Sequence, residues 1–177
     1  HLSIRRQRQM CIRDRLAAGK GKRFKSNNPK QFVNYINKPL FMHSVDKALK
    51  SKLFKSIIIV SNAPIKNIND KSIKVIKGGK ERYQSSQKAL NFLKNKKIKN
   101  VFIHDAARPN FSIKLLKKLN ANLKNNKAVV PFLKTDSSIK YKDGNILQNL
   151  DRDKLIFTQT PQCFDYKTIY KLSLIHI

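Results

Sequence analysis

The chain has few residues of several types, and each shortage excludes a class of protein. It contains no tryptophan, two cysteines and five glycines among 177 residues. The two cysteines, Cys11 and Cys163, are too few for a disulfide framework and lack the spacing of a zinc site. No apolar run reaches the length of a membrane span, and no segment has the pattern of a signal peptide. These features predict one cytoplasmic domain with a sizeable core.

Acidic residues are also scarce, which leaves a formal net charge of +29. Such a charge favours binding to nucleic acid or to another anionic surface. The lysines, however, are spread along the chain beside many asparagines, and the phenylalanines lie in apolar runs. Basic patches that bind RNA usually interleave aromatic side chains with the cations. We therefore expect no specific nucleic-acid partner, although the charge alone predicts weak, salt-sensitive binding to polyanions.

The few glycines are concentrated at two places. Four of the five lie in residues 16–24, which read Leu-Ala-Ala-Gly-Lys-Gly-Lys-Arg-Phe, or in the pair Gly78-Gly79. Glycine lets the backbone approach a ligand closely, and successive N–H groups can then converge on phosphate oxygens. Arg23 and Lys30 add positive charge where a polyphosphate would bind. On its own, the first segment is equally typical of an ordinary basic turn.

Apolar runs alternate with helical patterns along the rest of the chain. Continuous runs predict strands at 56–61, 73–76, 101–104 and 128–132. Apolar residues at helical spacing predict three helices, around 40–49, 89–93 and 113–123, the last with Ser112 as its N-cap. This alternation predicts an α/β fold with a largely parallel sheet and helices on both faces. The Asp143-Gly144 pair, between two short alternating stretches, predicts a β-hairpin.

Two further blocks accompany the glycine-rich segments: His-Asp-Ala-Ala-Arg-Pro at 104–109 and Thr-Gln-Thr-Pro-Gln at 158–162. In this order, the four blocks closely resemble the 2-C-methyl-D-erythritol 4-phosphate cytidylyltransferases of the non-mevalonate isoprenoid pathway. The resemblance runs from about residue 16 to about residue 170. It implies a Rossmann-like nucleotidyltransferase that transfers CMP from CTP to 2-C-methyl-D-erythritol 4-phosphate and releases pyrophosphate. The alternatives are a ribitol 5-phosphate cytidylyltransferase, which differs mainly in its polyol contacts, and an inactive fragment or basic nucleic-acid-binding protein.

The resemblance also implies roles for particular residues. Arg23 and Lys30 are expected to be catalytic, since they would contact the triphosphate and stabilise the transition state. Asp105 is expected to bind Mg²⁺, a cation that prefers oxygen ligands and bridges substrate phosphates; the residue pattern alone also fits an Asp that caps the next turn. The other implied residues are Ala17, Ala18, Gly19, Gly21, Gly79 and Ser85 for the nucleotide, and Arg108, Thr160 and Arg152 for the second substrate.

Several of these assignments keep an alternative. Ser85 is explained equally well as a residue at a helix N-terminus, and either Ser137 or Ser138 fits the place of a family threonine. His104 is interpreted as a buried structural histidine, because the attacking phosphate is already ionised and requires no general base. The resemblance further implies a homodimer, in which an arm at about 137–155 interlocks with a second subunit and Arg152 reaches that subunit's substrate.

The two ends of the chain depart from the pattern. Five of the nine arginines lie in the first fifteen residues, whereas the rest of the chain prefers lysine. Charged residues follow Ile12 directly, at Arg13, Asp14 and Arg15, so this stretch is not expected to form the buried strand that should precede the glycine loop. The family also continues with a further motif that is absent here. We therefore expect residues 1–15 and 172–177 to be non-native, on either side of one domain at 16–171 that lacks its C-terminal part.

Overall fold

A six-stranded sheet organises the chain. The computed structural model describes residues 8–13, 29–65 and 68–175. In chain order the strands are β1 (Arg8–Arg13), β2 (Asn34–Tyr35), β3 (Lys38–Pro39), β4 (Ser56–Val60), β5 (Ile73–Ile76), β6 (Asn100–Asp105), β7 (Ala128–Val129), β8 (Phe132–Leu133), β9 (Ile139–Asp143), β10 (Ile146–Leu150), β11 (Phe157–Thr158) and β12 (Gln162–Asp165). The helices are α1 (Leu40–Ser51), α2 (Arg82–Phe92), α3 (Ile113–Asn122) and α4 (Tyr166–Ile175), with 3₁₀ turns at Lys30–Phe32 and Arg152–Lys154.

The main sheet is mixed. Its strand order is β5-β4-β1-β6-β12-β7. The first four of these strands run parallel, whereas β12 is antiparallel to both β6 and β7. The α/β class that the sequence predicts is therefore confirmed. Because parallel strands end at the same edge of a sheet, the segments that follow β4, β5 and β6 share one edge, where ligands of such sheets usually bind.

The core lies on both faces of this sheet. Successive residues of β4 point to opposite faces, as the two-residue repeat of a strand requires. Ile57 and Ile59 pack in a cluster with residues of α1 and α3, whereas Ile58 and Val60 pack in a second cluster with residues of α2. Burial on both faces explains why β4 is apolar without interruption from Ile57 to Val60. Helices thus cover the two sides of the strands that carry the site.

Most of the predicted elements are confirmed, with one exception among the strands. The run 128–132 is not one strand: it is divided between β7, which joins the main sheet, and β8, which pairs with β11. Pro131 lies between the two and has no N–H group for a continuous ladder. The strand β12 and the helix α4 are additional elements that the sequence patterns did not predict.

The first strand corrects a second prediction. Arg8–Arg13 forms β1, which pairs with β4 on one side and β6 on the other. The expectation that this stretch forms no strand before the glycine loop is therefore wrong, because the ladder depends on backbone groups and tolerates charged residues in the sequence. At the other end, α4 continues through residue 171 to Ile175. It stays a prediction that the two ends, residues 1–15 and 172–177, are non-native. Parts of both ends lie outside the described residues, namely 1–7, 14–15 and 176–177.

The predicted hairpin is confirmed. The strands β9 and β10 pair antiparallel with each other around Asp143-Gly144, within the predicted arm at 137–155. Gly144 has a φ angle of +53°, in the left-handed region that glycine adopts without strain. Among the helices of the described segments, of which α1 is the longest with 12 residues, none has the length and hydropathy of a bilayer-crossing segment.

Candidate functional site

Three segments at the carboxyl ends of parallel strands form the candidate site. Asn62 follows β4, the pair Gly78-Gly79 follows β5, and Asp105 is the last residue of β6. The strand order places β1 between β4 and β6, so the carboxyl end of β1, at Arg13, lies at the same edge. Ala17, Ala18, Gly19, Gly21 and Arg23, all predicted site residues, lie outside the described residues.

Side chains from two elements hold the Gly78-Gly79 turn. The Gly79 N–H donates to Ser85 Oγ at 3.0 Å, and the Gly79 carbonyl accepts from Asn62 Nδ2 at 3.2 Å. The Gly78 carbonyl accepts from Lys88 Nζ at 2.8 Å. Asn62 comes from the loop after β4, whereas Ser85 and Lys88 come from α2. The backbone of the turn is therefore fixed from both sides.

The start of α2 explains why the second residue of this turn is glycine. A Cβ atom on Gly79 would lie 2.3 Å from the Cβ of Gln84, closer than two such atoms approach. Gln84 cannot move away easily, because its Oε1 accepts hydrogen bonds from the N–H groups of Lys80 at 2.8 Å and Glu81 at 3.0 Å. The bond from Glu81, the N-cap residue of α2, is one half of a capping box. Close packing of the turn on the helix thus requires glycine.

Ser85 lies in the first turn of α2 with 3% of its surface exposed. Besides accepting from Gly79, its hydroxyl donates to the Glu81 carbonyl at 3.3 Å. The alternative of a residue at a helix N-terminus is therefore correct for its place in the fold. The hydroxyl keeps one lone pair for a ligand, so a role in nucleotide binding stays a prediction.

A second group of polar side chains surrounds the end of β6. Arg108 Nε lies 3.5 Å from Asp105 Oδ2, and the Asp105 N–H donates to Thr160 Oγ1 at 3.4 Å. Arg108 Nη1 also lies 3.4 Å from Gln159 Oε1. The Asp105 side chain is 13% exposed and that of Arg108 is 53% exposed. The fold thus brings together a carboxylate, a hydroxyl and a guanidinium that faces solvent, although they are separated by up to 55 residues in the sequence.

His104 lies directly before this group and is fully buried. Its Nε2 is 3.2 Å from the hydroxyl of Ser44, and its ring packs edge-on against Phe111 with 4.6 Å between centroids. Burial lowers the pKa of His104 to about 4, although the neighbouring Asp105 charge acts in the opposite direction. A neutral histidine without solvent access supports the interpretation as a structural residue.

Two predicted site residues lie apart from these groups. Lys30 begins the 3₁₀ turn that packs against α1, and its side chain is exposed. Arg152 lies in the second 3₁₀ turn, just after the hairpin, and its Nη1 donates to the Asp136 carbonyl at 2.9 Å. No contact of the described residues tests the role predicted for Lys30 or for Arg152, so both roles stay predictions.

Sequence reasoning missed three residues of the site. Asn62 and Lys88 contact the Gly78-Gly79 turn, and Gln159 contacts Arg108. A signal existed for Asn62, which directly follows a predicted buried strand, and for Gln159, which lies within a block that was singled out. Lys88 gave none, because it is one of many lysines and its contact depends on the path of α2.

The carboxylate of Asp105 fits a magnesium ligand in type but does not form a site alone. The described residues hold no cluster of three or more histidine, cysteine or acidic side chains. Mg²⁺ is commonly bound by one or two carboxylates together with water and substrate phosphates. A single carboxylate at a strand end, with the exposed guanidinium of Arg108 beside it, agrees with that donor set.

Comparisons with known proteins agree with this arrangement. A family model described as 2-C-methyl-D-erythritol 4-phosphate cytidylyltransferase matches residues 15–174. The chain is 47% identical over 161 residues to a bifunctional enzyme IspD/IspF of Pelagibacter ubique. That match covers 89% of this chain and 43% of the relative. It is 36% identical over 163 residues to the 2-C-methyl-D-erythritol 4-phosphate cytidylyltransferase of Caldicellulosiruptor bescii. That match covers 88% of this chain and 72% of the relative. The chain thus spans less than half of the bifunctional relative.

Solved structures give the same result at the level of the fold. The 2-C-methyl-D-erythritol 4-phosphate cytidylyltransferase of Francisella tularensis superimposes with a TM-score of 0.79 at 28% identity, covering 96% of this chain and 77% of that one. The 4-diphosphocytidyl-2C-methyl-D-erythritol synthase of Anaerococcus prevotii gives a TM-score of 0.79 at 25% identity, and the superposition covers 96% of this chain and 75% of that one. The family model matches most of the chain, and the chain is 36% identical to the Caldicellulosiruptor bescii enzyme, of which it covers 72%. The chain therefore belongs to the 2-C-methyl-D-erythritol 4-phosphate cytidylyltransferase family.

Proposed function

We propose that the protein transfers CMP from CTP to 2-C-methyl-D-erythritol 4-phosphate, giving the CDP derivative and pyrophosphate. The observation that carries this proposal is the group formed by Asp105, Arg108 and Thr160 at the end of β6. Family membership supports the same reaction, since relatives that share the matched region are named for it. In that reaction the product is a precursor in isoprenoid biosynthesis.

The reaction makes one bond and breaks one. A phosphate oxygen of methylerythritol phosphate attacks the α-phosphorus of CTP, and the bond between that phosphorus and the bridging oxygen of the β-phosphate breaks. Pyrophosphate carries away the electron pair. Such a step depends mainly on alignment of the reactants and on stabilisation of charge on the phosphoryl oxygens. The attacking phosphate is already ionised, so the buried, neutral His104 has no proton to remove.

The residues of the described site would divide these tasks. The exposed guanidinium of Arg108 would hold the phosphate of the second substrate, since arginine binds phosphate through two parallel hydrogen bonds. Thr160 would offer its hydroxyl to the same substrate. Lys30, together with Arg23, would neutralise the triphosphate of CTP. Gly79 and Ser85 would face the cytosine, and Arg152 would serve the second substrate bound by a neighbouring subunit.

Asp105 would hold Mg²⁺ in this scheme. When bound, the cation supplies positive charge at the phosphates of CTP. The carboxylate at the end of β6 would fix its position, and the ion pair with Arg108 would orient that carboxylate toward the substrates. Asp105 is the one residue of the described site to which we assign this role.

Three broader features complete the proposal. The mixed sheet, with four parallel strands, supports placement among the Rossmann-like nucleotidyltransferases. Within the described segments the hairpin of β9 and β10 pairs with no other strand, and it exposes large apolar side chains; both features support a homodimer formed through this arm. A cytoplasmic location would agree with the use of CTP, which is an intracellular nucleotide.

The test measures pyrophosphate release by the purified chain with CTP and Mg²⁺. Methylerythritol phosphate and ribitol 5-phosphate are supplied in parallel reactions, and ATP replaces CTP in a third. Release that requires both CTP and methylerythritol phosphate supports the proposal. Turnover with ribitol 5-phosphate alone would assign the related activity instead. A folded protein that neither turns over either substrate nor shows thermal stabilisation by CTP would contradict the proposed function.

A further inference from the structure

Side chains, and not the backbone ladder, hold the turn between β5 and α2. Within the described residues, no backbone–backbone hydrogen bond outside the regular elements involves Gly78 or Gly79. Both carbonyl groups of the pair instead accept from side chains, Asn62 Nδ2 at 3.2 Å and Lys88 Nζ at 2.8 Å. The two donors reach the turn from different elements. The directions of the two carbonyls therefore depend on Asn62 and Lys88.

We propose that Asn62 and Lys88 are positioning residues that aim the Gly78 and Gly79 carbonyls at the nucleobase and so help to select cytosine. This inference rests on the proposed function. A carbonyl oxygen has two lone pairs, so a single bond from each side chain leaves a second acceptor site for a ligand. The amino group of cytosine donates to such an acceptor, whereas the oxygen at the same place in uracil cannot. The direction of the carbonyls thus bears on discrimination between the two bases.

The exposure of both donors separates this role from a purely structural one. Asn62 and Lys88 are exposed residues of the loop after β4 and of α2. A hydrogen bond from an exposed, flexible side chain adds little to stability, because ordering that side chain opposes the gain. Their removal should therefore leave thermal stability nearly unchanged. The turn remains packed on Gln84, but the carbonyls lose the donors that orient them.

The scarcity of glycine allows a direct measurement of the turn. The chain has five glycines, so selective labelling with ¹⁵N-glycine gives at most five amide signals. Ser85→Ala removes the acceptor of the Gly79 N–H and identifies that signal. Gly144, in the hairpin, has no described atom beyond its chain neighbours within 4 Å of where its Cβ would be, and it serves as an internal reference. Asn62→Asp keeps the shape of the side chain without the donor, and Lys88→Met keeps the aliphatic stem without the ammonium.

We expect both variants to shift the Gly78 and Gly79 signals and to leave the Gly144 signal in place. In the activity assay, we expect each to raise KM for CTP by about tenfold, as loss of one oriented hydrogen bond does, with kcat within twofold of the parent. The preference for CTP over UTP should fall by a similar factor. Asn69→Asp and Lys94→Met make the same chemical changes at other exposed positions and should alter neither readout.

Each outcome has a separate meaning. Unchanged glycine signals overturn the contacts on which the inference rests. Shifted signals with unchanged KM and unchanged base preference show that the contacts do not position the nucleotide site, and this overturns the inference alone. If the parent chain neither binds nor turns over CTP, the proposed function fails, and selection of cytosine by Asn62 and Lys88 fails with it.

Discussion

The hydroxyl oxygen of Ser44 lies 3.2 Å from Nε2 of His104, and neither side chain has any exposed surface. This contact joins α1 to the end of β6, one residue before Asp105. The other ring nitrogen, Nδ1, is buried without a hydrogen bond of normal geometry. The imidazole is therefore held in its neutral form, and burial lowers its pKa from an ordinary value of 6.5 to about 4.

Acid should consequently destabilise the fold through His104. The unfolded chain takes up a proton near pH 6.5, whereas the folded chain takes it up only near pH 4. The stability that the neutral residue contributes is thus fully present above pH 6.5 and is lost as the pH falls toward 4. A shift of this size corresponds to about 3 kcal/mol in the free energy of unfolding. Urea titrations at pH 7.5, 6, 5 and 4.5, with EDTA present, measure the loss.

Two histidine variants isolate this effect. His104→Asn places a neutral amide at the buried position and should flatten the decline between pH 6.5 and 4.5, even though the protein is less stable overall. His43→Asn changes a half-buried histidine whose Nε2 contacts the carbonyl oxygen of the exposed Tyr35. That variant should retain the full decline. An equal decline in both variants would assign the acid sensitivity to other groups.

Local patterns predicted much of the fold for identifiable physical reasons. The run 57–60 is buried on both faces of the sheet, so it consists of β-branched residues and is recognisable without its partners. The Ser112 hydroxyl accepts from the Leu115 N–H and begins α3 as its N-cap, a contact that spans three residues. Asp143-Gly144 begins a hairpin for a similar reason, because the turn residues themselves determine the pairing.

Elements that depend on distant partners were not predictable in this way. The strand β1 has charged residues at both ends, and only its two neighbouring strands show that its backbone is paired. The candidate site also has residues that local sequence identifies and contacts that depend on distant partners. The sequence block that contains Asp105 and Arg108 was recognised, but the contact between Asp105 and Thr160 requires β12 to lie beside β6. Asn62 and Lys88 reach the glycine turn through the packing of β4, β5 and α2.

Removal of the Lys30 ammonium should impair turnover strongly. In the proposed reaction this charge stabilises the phosphoryl oxygens of CTP, and the loss of one preorganised group of that kind costs about 10²–10³ in kcat. Lys30→Ala should show this loss in the pyrophosphate assay, with an unchanged circular dichroism spectrum because the side chain is exposed. Lys50→Ala, at an exposed position of α1, serves as the control and should keep full activity. Turnover of Lys30→Ala close to that of the parent would contradict the assignment.

The connection between β2 and β3 contains a strained residue. Ile36 has a φ angle of +46° and Asn37 one of +62°, which is the conformation of a two-residue hairpin turn that favours asparagine and glycine. A β-branched residue in the left-handed region costs about 1–2 kcal/mol. Because Ile36 is 69% exposed, its side chain contributes little packing in return. Ile36→Asn should therefore raise the free energy of unfolding by about 1 kcal/mol, as measured by urea denaturation.

A conservative variant provides the comparison for this turn. Ile36→Val retains the β-branch and hence the strain, so its stability should equal that of the parent within about 0.3 kcal/mol, the usual scatter of exposed substitutions. If Ile36→Val and Ile36→Asn have the same stability, the strain at this position is not expressed in the free energy of unfolding.

The hairpin of β9 and β10 has two unlike faces, and this difference predicts how the proposed dimer would depend on each face. Its register places Tyr141, Ile146 and Leu150 on one face, with Leu147 on the other. Ile146 is 63% exposed and Leu147 59% exposed in the single chain. If the apolar face packs on a second subunit, Ile146→Lys removes about 1.5–3 kcal/mol of burial and weakens the dimer at least tenfold. Sedimentation equilibrium, with 20.5 kDa as the mass of one chain, measures this change.

Leu147→Lys adds the same charge on the opposite face at nearly equal exposure, so its dimer should be unaffected. Equal weakening by both substitutions would mean that added charge, and not loss of the apolar face, separates the subunits.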